Sequence, residues 1–305
     1  MYNENDKIRF ISTVNLDQYP NHYWNAMFAK SETMEEMYGK DLFNFSKIEI
    51  ISMYKYFDSK SFDYLRVTNF NFIKYAQWAL QEALIIDGQN HFAEITSDEI
   101  NSCVNQYGVT ESIITKKRLD EILHMIAPAK DRFMVIGIFE GIKGTALTEM
   151  LDSNINDIDF ANKKMKLSSG RVIEVSDDLI RIAKEAAAET EYITSDGKQT
   201  YKLYGDPGSL QKSLRKNPSE ANRIKIINKN FRSLFDNLGL SRYITPNSMF
   251  TSGLIYRINK FAEENGITAE EALNNEEFVA FLKNQYGYNS KIKYKFIMKY
   301  GEFLR

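Results

Sequence analysis

The stretch GIKGTALTEML, residues 141–151, lies between an apolar run, RFMVIGIFE, and a polar one, DSNINDIDF. A turn that ends on a cation is a place to hold a phosphate, and here the cation is Lys143. Lysine supplies the charge but lacks the planar fork with which arginine grips two phosphate oxygens. A second set of cations is Lys225, Lys229 and Arg232, in RIKIINKNFRSLFDNLG. Their spacing puts them on one helical face, where they suit a nucleic-acid groove and its phosphate walls. Metal chemistry finds no support: His22, His91 and His124 are scattered, and Cys103 is the only cysteine. Asp157 and Asp159 in DIDF make a tempting pair, but capping of a turn is the better account. No cofactor is expected.

The elements that must position these residues are mostly helices. FSKIEIISMYKYF (45–57) places Ile48, Ile51 and Tyr54 or Lys55 at helical spacing, and residues 67–85 do so with Phe70, Ile73, Trp78, Leu80 and Leu84. Ser97 opens a short helix, SDEINSCV. Further helices are expected at TKKRLDEILHMI, at the buried segment KDRFMVIGIFEGI, at DDLIRIAKEAAAET, at 223–239 stopped by Gly239, and at 245–266 between a proline entry and Gly266. KKMKLSSGRVIEVS (163–176) alternates as two short strands joined at SSG. Residues 191–221 contain DGK and GDPGS turns and read as a mobile loop. Phe43, Phe45, Tyr54, Tyr56, Phe57, Phe70, Phe72, Tyr75 and Trp78 read as the core of a small helical domain.

A chain of 305 residues has room for two domains. With 43% hydrophobic and 26% charged residues the composition is that of a soluble globular protein, and no apolar run is long enough to span a membrane. MYNENDKIRF lacks a secretory core, and a single cysteine permits no internal disulfide, so a cytoplasmic location is expected. The net charge of −2 hides an asymmetry. Residues 1–112 hold 9 Lys+Arg against 16 Asp+Glu, a balance of −7, and residues 113–305 hold 30 against 25, a balance of +5. Nine of those cations fall in residues 198–232, which carry only two acids, Asp206 and Glu220. Patches of this kind attract a polyanion whatever the total charge. The charge balance changes in NQYGVTESI (105–113), the candidate linker, and divides the chain into domains 1–112 and 113–305.

The order of these pieces resembles that of the tyrosine recombinase, or phage integrase, family. Residues 45–96 are similar to its helical core-binding domain and 115–305 to its catalytic domain. The expected fold is mainly α with a small β-hairpin or sheet: a core-binding domain followed by an α-rich domain of catalytic type. In that family a helix, a Gly-Leu-Arg turn, a helix, an Asp-x-Asp-like exit, a β-hairpin and a helix follow one another. Here KDRFMVIGIFE, GIK, TALTEML, DIDF, KKMKLSSGRVIEVS and DDLIRIAKEA take those places.

The resemblance implies a tyrosine attacking a phosphodiester, two arginines clamping the non-bridging oxygens, and a lysine and histidines moving protons. Position by position the chain departs from it. Lys143 stands for the first arginine; in TPNSMF, Asn247 stands for a histidine and Phe250 for the second arginine. Thr251 and Tyr288 occupy two further histidine positions, and Arg171 is the nearest cation to the hairpin lysine. The family's tyrosine spacing lands near Ile297, between Tyr294 and Tyr300. Groups that act as a unit are not lost singly without cost, so the expected protein is not an enzyme. The degenerate pattern resembles the lysogeny repressors of SPbeta-type Bacillus prophages. That implies a sequence-specific transcriptional repressor on double-stranded operator DNA, with a regulatory peptide or phage protein and a homo-oligomer as candidate partners. An active, divergent recombinase using Tyr294 or Tyr300 is the alternative, and a protein-interaction module a third reading. Candidate DNA contacts are Lys143, Arg171, Arg223, Lys225, Lys229 and Arg232, with Arg66 and Lys74 from the first domain. The tail KIKYKFIMKYGEFLR fits an edge strand, a DNA-facing arm or an arm exchanged between subunits.

Overall fold

The computed structural model describes residues 1–14, 21–194 and 198–305. The chain divides into two compact units, Met1–Thr110 and Glu111–Arg305. Helix α6 occupies Gln106–Thr110, so the stretch expected as a linker is in part helical.

The first unit holds α1 (Glu4–Thr13), α2 (Asn21–Tyr38), α3 (Lys47–Tyr56), α4 (Phe62–Gln81), α5 (Ser97–Ser102) and α6. Short polar residues start them. Ser46 and Glu49 form a capping box ahead of α3, Ser61 accepts from the Tyr64 amide ahead of α4, and Thr96 with Glu99 opens α5. Trp24, Phe28, Phe72 and Tyr75 are wholly buried, and Phe28 and Phe72 each contribute about 2–3 kcal/mol by leaving water. Two aromatics expected in this core are not there: Tyr56 and Phe70 are more than half exposed. α3 likewise buries Ile50, Met53 and Tyr54 rather than Ile48, which faces solvent. A helix with apolar residues on several sides does not announce which one will be covered. A buried Lys7 fastens α1 to this core. Its Nζ donates to both Glu35 oxygens, at 2.6 and 2.8 Å, and to the Tyr2 carbonyl at 2.6 Å, with Asp41 3.9 Å away.

The second unit is built around α8 (Ala129–Phe139), in which every residue but Arg132 is buried. A helix apolar all round must be covered on all sides. α7 (Lys116–Met125), α9 (Thr148–Leu151), α10 (Asp177–Ala188), α11 (Glu220–Asn237) and α12 (Pro246–Asn265) all pack on it. α10 starts on Ser176, which accepts from the Leu179 amide, and turns Leu179, Ile182, Ala183 and Ala186 inward. α12 meets α8 so closely at Gly253 that a Cβ there would lie 1.7 Å from the Phe139 carbonyl oxygen. α13 (Ala269–Ala272), α14 (Glu276–Tyr286) and α15 (Lys293–Tyr300) form a second core with the far half of α12.

The hairpin expected at 163–176 is β2 (Lys164–Lys166) paired antiparallel with β3 (Val172–Glu174), and β1 (Ile158–Asp159) adds a third strand to it. Asp159 caps its turn, accepting from the Ala161 and Asn162 amides and the Asn162 side chain. Residues 191–221 are not a structureless loop. β4 (Glu191–Ile193) and β5 (Thr200–Lys202) pair antiparallel, Leu203 and Leu210 are buried, and Lys212 donates to the carbonyls of Ala187 and Glu189. Asp196 and Gly197, of the expected DGK turn, lie outside the described residues. Nor is the tail an edge strand. It forms α15 and folds back on its own unit, where Asn259 donates to the Phe303 carbonyl and accepts from the Arg305 amide.

Candidate functional site

Lys143 follows Gly141, whose φ of 107° is open to glycine and whose Cβ would lie 2.2 Å from the Gln285 carbonyl oxygen. The next residues do not form the helix expected over TALTEML. Thr145–Leu147 make one tight turn, with Ala146 and Leu147 both at positive φ, before the four residues of α9. Two non-glycine residues in the left-handed region cost about 1 kcal/mol each or more. Burial of Leu147 and hydrogen bonds to Glu149 offset this.

The fold brings Lys143 to two positions 104 and more residues further along the chain. The Nζ of Lys143 donates to Asn247 Oδ1 at 2.8 Å and lies 4.6 Å from the centre of the Phe250 ring. Asn247 and Phe250 come from the first turns of α12, which Thr245 caps and Pro246 opens. Phe250 in turn packs edge-on against Tyr286, whose hydroxyl donates to the Phe139 carbonyl. Burial pushes the Lys143 ammonium below its usual range; Glu149 opposes the shift and Arg171 adds to it. Lys143, Gly144, Thr145, Ala146, Leu147, Asn228, Pro246 and Asn247 line an open cleft of about 360 Å³. The sequence reading missed Asn228, which α11 carries into this cleft. Its signal was present, one residue before Lys229 on a helix already marked as cationic.

Two other positions that the resemblance singles out lie apart from the cleft lining. Thr251 donates its hydroxyl to the Asn247 carbonyl one turn back. Tyr288 is buried against Phe296, with burial raising its hydroxyl above the usual range, and its oxygen has no hydrogen-bond partner among the described residues.

Arg171 requires a correction. All five of its N–H donors are engaged inside the protein. Nε and Nη2 donate to the two oxygens of Glu149, Nη2 also to the Gly141 carbonyl, and Nη1 to the carbonyls of Asn284 and Gln285. None is left for a phosphate. Glu149, itself buried, also accepts from the Ser169 hydroxyl and the Lys143 amide. Burial alone would raise its carboxyl, but the donors and the arginine charge outweigh that and hold it below the ordinary range. This hub ties the hairpin to the Lys143 turn and the end of α14. Sequence reasoning did not single out Glu149; an acid in an otherwise apolar TEML is the trace it leaves.

Arg223 is also partly engaged, donating to the Leu151 carbonyl at 2.6 Å. Lys225, Lys229 and Arg232 are exposed along α11, and no ion pair among the described residues involves them. On α4, Arg66 lies 3.5 Å from Asp63 and Lys74 sits 4.6 Å over the Phe70 ring. Tyr294 is 73% exposed, while Tyr300 packs against Phe296. No cluster of three or more metal-ligating side chains occurs among the described residues, and no helix among them is long and apolar enough to cross a membrane.

Known proteins order these observations. Residues 113–301 match the MrpR C-terminal catalytic domain, and residues 1–81 match the MrpR N-terminal core-binding domain. The chain belongs to the MrpR family. Its layout is therefore recombinase-like, a core-binding domain followed by a catalytic-type domain. The SPbeta prophage-derived uncharacterized protein YopR of Bacillus subtilis (strain 168) is 25% identical over 279 residues, covering 88% of this chain and 84% of YopR. A crystal structure of XerA recombinase is similar over 96% of this chain and 92% of its own, at 11% identity and a TM-score of 0.40.

Proposed function

We propose that the chain is a sequence-specific DNA-binding transcriptional regulator, a phage lysogeny repressor built on a recombinase fold that does not cut. The observation that carries this reading is the company of Lys143. Strand cleavage needs forked guanidinium donors around the phosphoryl oxygens as charge develops there. Lys143 meets an amide oxygen and a phenyl ring instead, and the nearby Arg171 has its donors engaged. One ammonium still neutralises a phosphate, so holding DNA remains within its chemistry while aligning a phosphate for attack does not. The exposed cations of α11 favour duplex DNA as the partner, and a prophage-derived relative fits a phage regulator acting on DNA in a bacterial cytoplasm.

The test is retention of fragmented DNA from the source genome at two salt concentrations, with bound fragments sequenced and assayed for covalent linkage, beside a nicked suicide duplex. One recurrent, salt-sensitive motif without adduct is the expected result. A covalent adduct at Tyr294 or Tyr300 would overturn it in favour of an active recombinase. No retention at either salt would move the function to a protein partner.

A further inference from the structure

The first domain keeps one cation and two carboxylates out of water: Lys7 and Glu35 are wholly buried and Asp41 is 5% exposed. The Lys7 ammonium has three donors, and all three are engaged, two by the Glu35 oxygens and one by the Tyr2 carbonyl. Asp41 receives none of them. Its hydrogen bonds come from neutral groups, the Tyr75 hydroxyl at 3.0 Å, the Asn3 amide at 3.1 Å and the Phe43 backbone N–H at 3.3 Å. Glu35 also accepts from the Ser31 hydroxyl and the Leu42 N–H. With both carboxylates ionised, the cluster carries one uncompensated negative charge inside the protein, which is costly. A proton on Asp41 removes that charge. The neighbouring charges do not supply the balance: Asp6 of α1 adds a further carboxylate and pairs with Arg9, and the Met1 ammonium is engaged by Glu32 of α2.

Three members of the cluster, the Tyr2 carbonyl, Asn3 and Lys7, belong to α1 or lead into it. With ten residues α1 is too short to be stable alone. Asn3 stands at its N-cap with a φ of 46°, and its side chain donates to Asp6 and Asp41 instead of capping the helix. Apart from the cluster, α1 is held by the burial of Phe10 and Ile11. The rest of the domain has aromatic contacts of its own, Phe28 on Phe72 and Tyr75 on Phe28 and Phe43. We propose that α1 is a proton-tightened clasp, closed most firmly on the first domain when Asp41 holds a proton and released, with the other helices still folded, as that proton leaves. Asp41 has an ordinary value of 3.8 and a value of about 7 in the closed state, so closure is strongest below the first and weakens until pH passes the second. Release uncovers both tryptophans of the chain, since Phe10 covers Trp24 at 5.0 Å and Trp78 at 5.8 Å between ring centres.

The experiment is hydrogen exchange of the full chain from about pH 4 to 8, corrected for intrinsic rates and read at the amides of α1 and at the buried amides of α4. In the wild type, α1 protection should fall by up to about tenfold per pH unit and level off above about 7, while α4 stays more protected. Acrylamide quenching of tryptophan emission should rise in step. In Asp41→Asn, α1 protection should no longer depend on pH. His91 of the same domain is held above its ordinary 6.5 by Asp87 and remains in that variant, so a pH dependence that survives there would overturn the proposal. Lys7→Met leaves both carboxylates without their cation and should strip protection from α1 but not from α4. The proposal also fails if Lys7→Met leaves α1 protection unchanged, if wild-type α1 protection is flat with pH, or if α1 and α4 amides exchange together at every pH.

Discussion

Arg171 and Arg232 are both arginines in the basic part of the chain, and their surroundings differ completely. Arg171 sits beneath a hairpin with five donors engaged by a buried carboxylate and three carbonyls. Arg232 projects from α11 beside Lys225 and Lys229, exposed and outside any ion pair among the described residues. One is a strut and the other is available charge. What separates them is satisfaction rather than residue type: a cation whose donors are all met inside the fold has little to offer a phosphate, and a solvated one has everything to offer.

The largest effect should come from breaking the strut. Arg171→Ala leaves Glu149 buried without its cation and three carbonyls without a donor, so a loss of about 3–5 kcal/mol is expected in chemical denaturation. A variant as stable as the wild type but weaker on DNA would erase the distinction between the two arginines.

A pH titration of the melting temperature sharpens it. The Glu149 carboxyl lies below its ordinary value of 4.5 when folded. Its stabilisation is therefore present above that value and lost as pH falls through the lower, folded one. Asp41 in the first domain shifts the other way. Burial is the main cause and the Glu35 charge adds to it, with Lys7 opposing, and the carboxyl is pushed up to about 7. Its protonated form favours the fold, so that contribution is full below about 3.8 and is lost as pH rises towards 7. Arg171→Ala should remove the acid-side loss, and Asp41→Asn the loss between about pH 4 and 7. Titration curves identical to the wild type's would contradict both.

The smallest effect on stability, and the clearest on binding, belongs to α11. Lys229→Ala with Arg232→Ala should change unfolding by no more than about 0.5 kcal/mol. The pair should lower the salt slope of DNA binding by about 0.9 for each phosphate no longer neutralised. An unchanged slope would remove this face from the interface.

Much of the candidate site was legible before folding. The resemblance singled out Lys143, Asn247 and Phe250 one by one, and the structure brings the three side chains together. The hairpin, the capped helices and the aspartate turn follow from local chemistry, because caps and alternation act over a few residues. Phe70 and Ile48 were misplaced because α3 and α4 are apolar on more than one side, and periodicity does not say which side another helix will cover. The paired strands within 191–221 escaped notice because each is only three residues long and largely exposed, too short to show an alternating pattern.

The amino-acid chain alone specified most of the helical elements, the charge asymmetry between the two halves, and the residue types at the positions the recombinase resemblance singles out. Those are properties of single residues and short windows. Which cations are struts and which are solvated was left to the packing of distant segments, because two of the five Arg171 donors find partners more than a hundred residues away and the other three cross to a different element. The same holds for Phe70: its side chain is apolar in any context, but whether it is covered depends on what the rest of the first domain packs against α4.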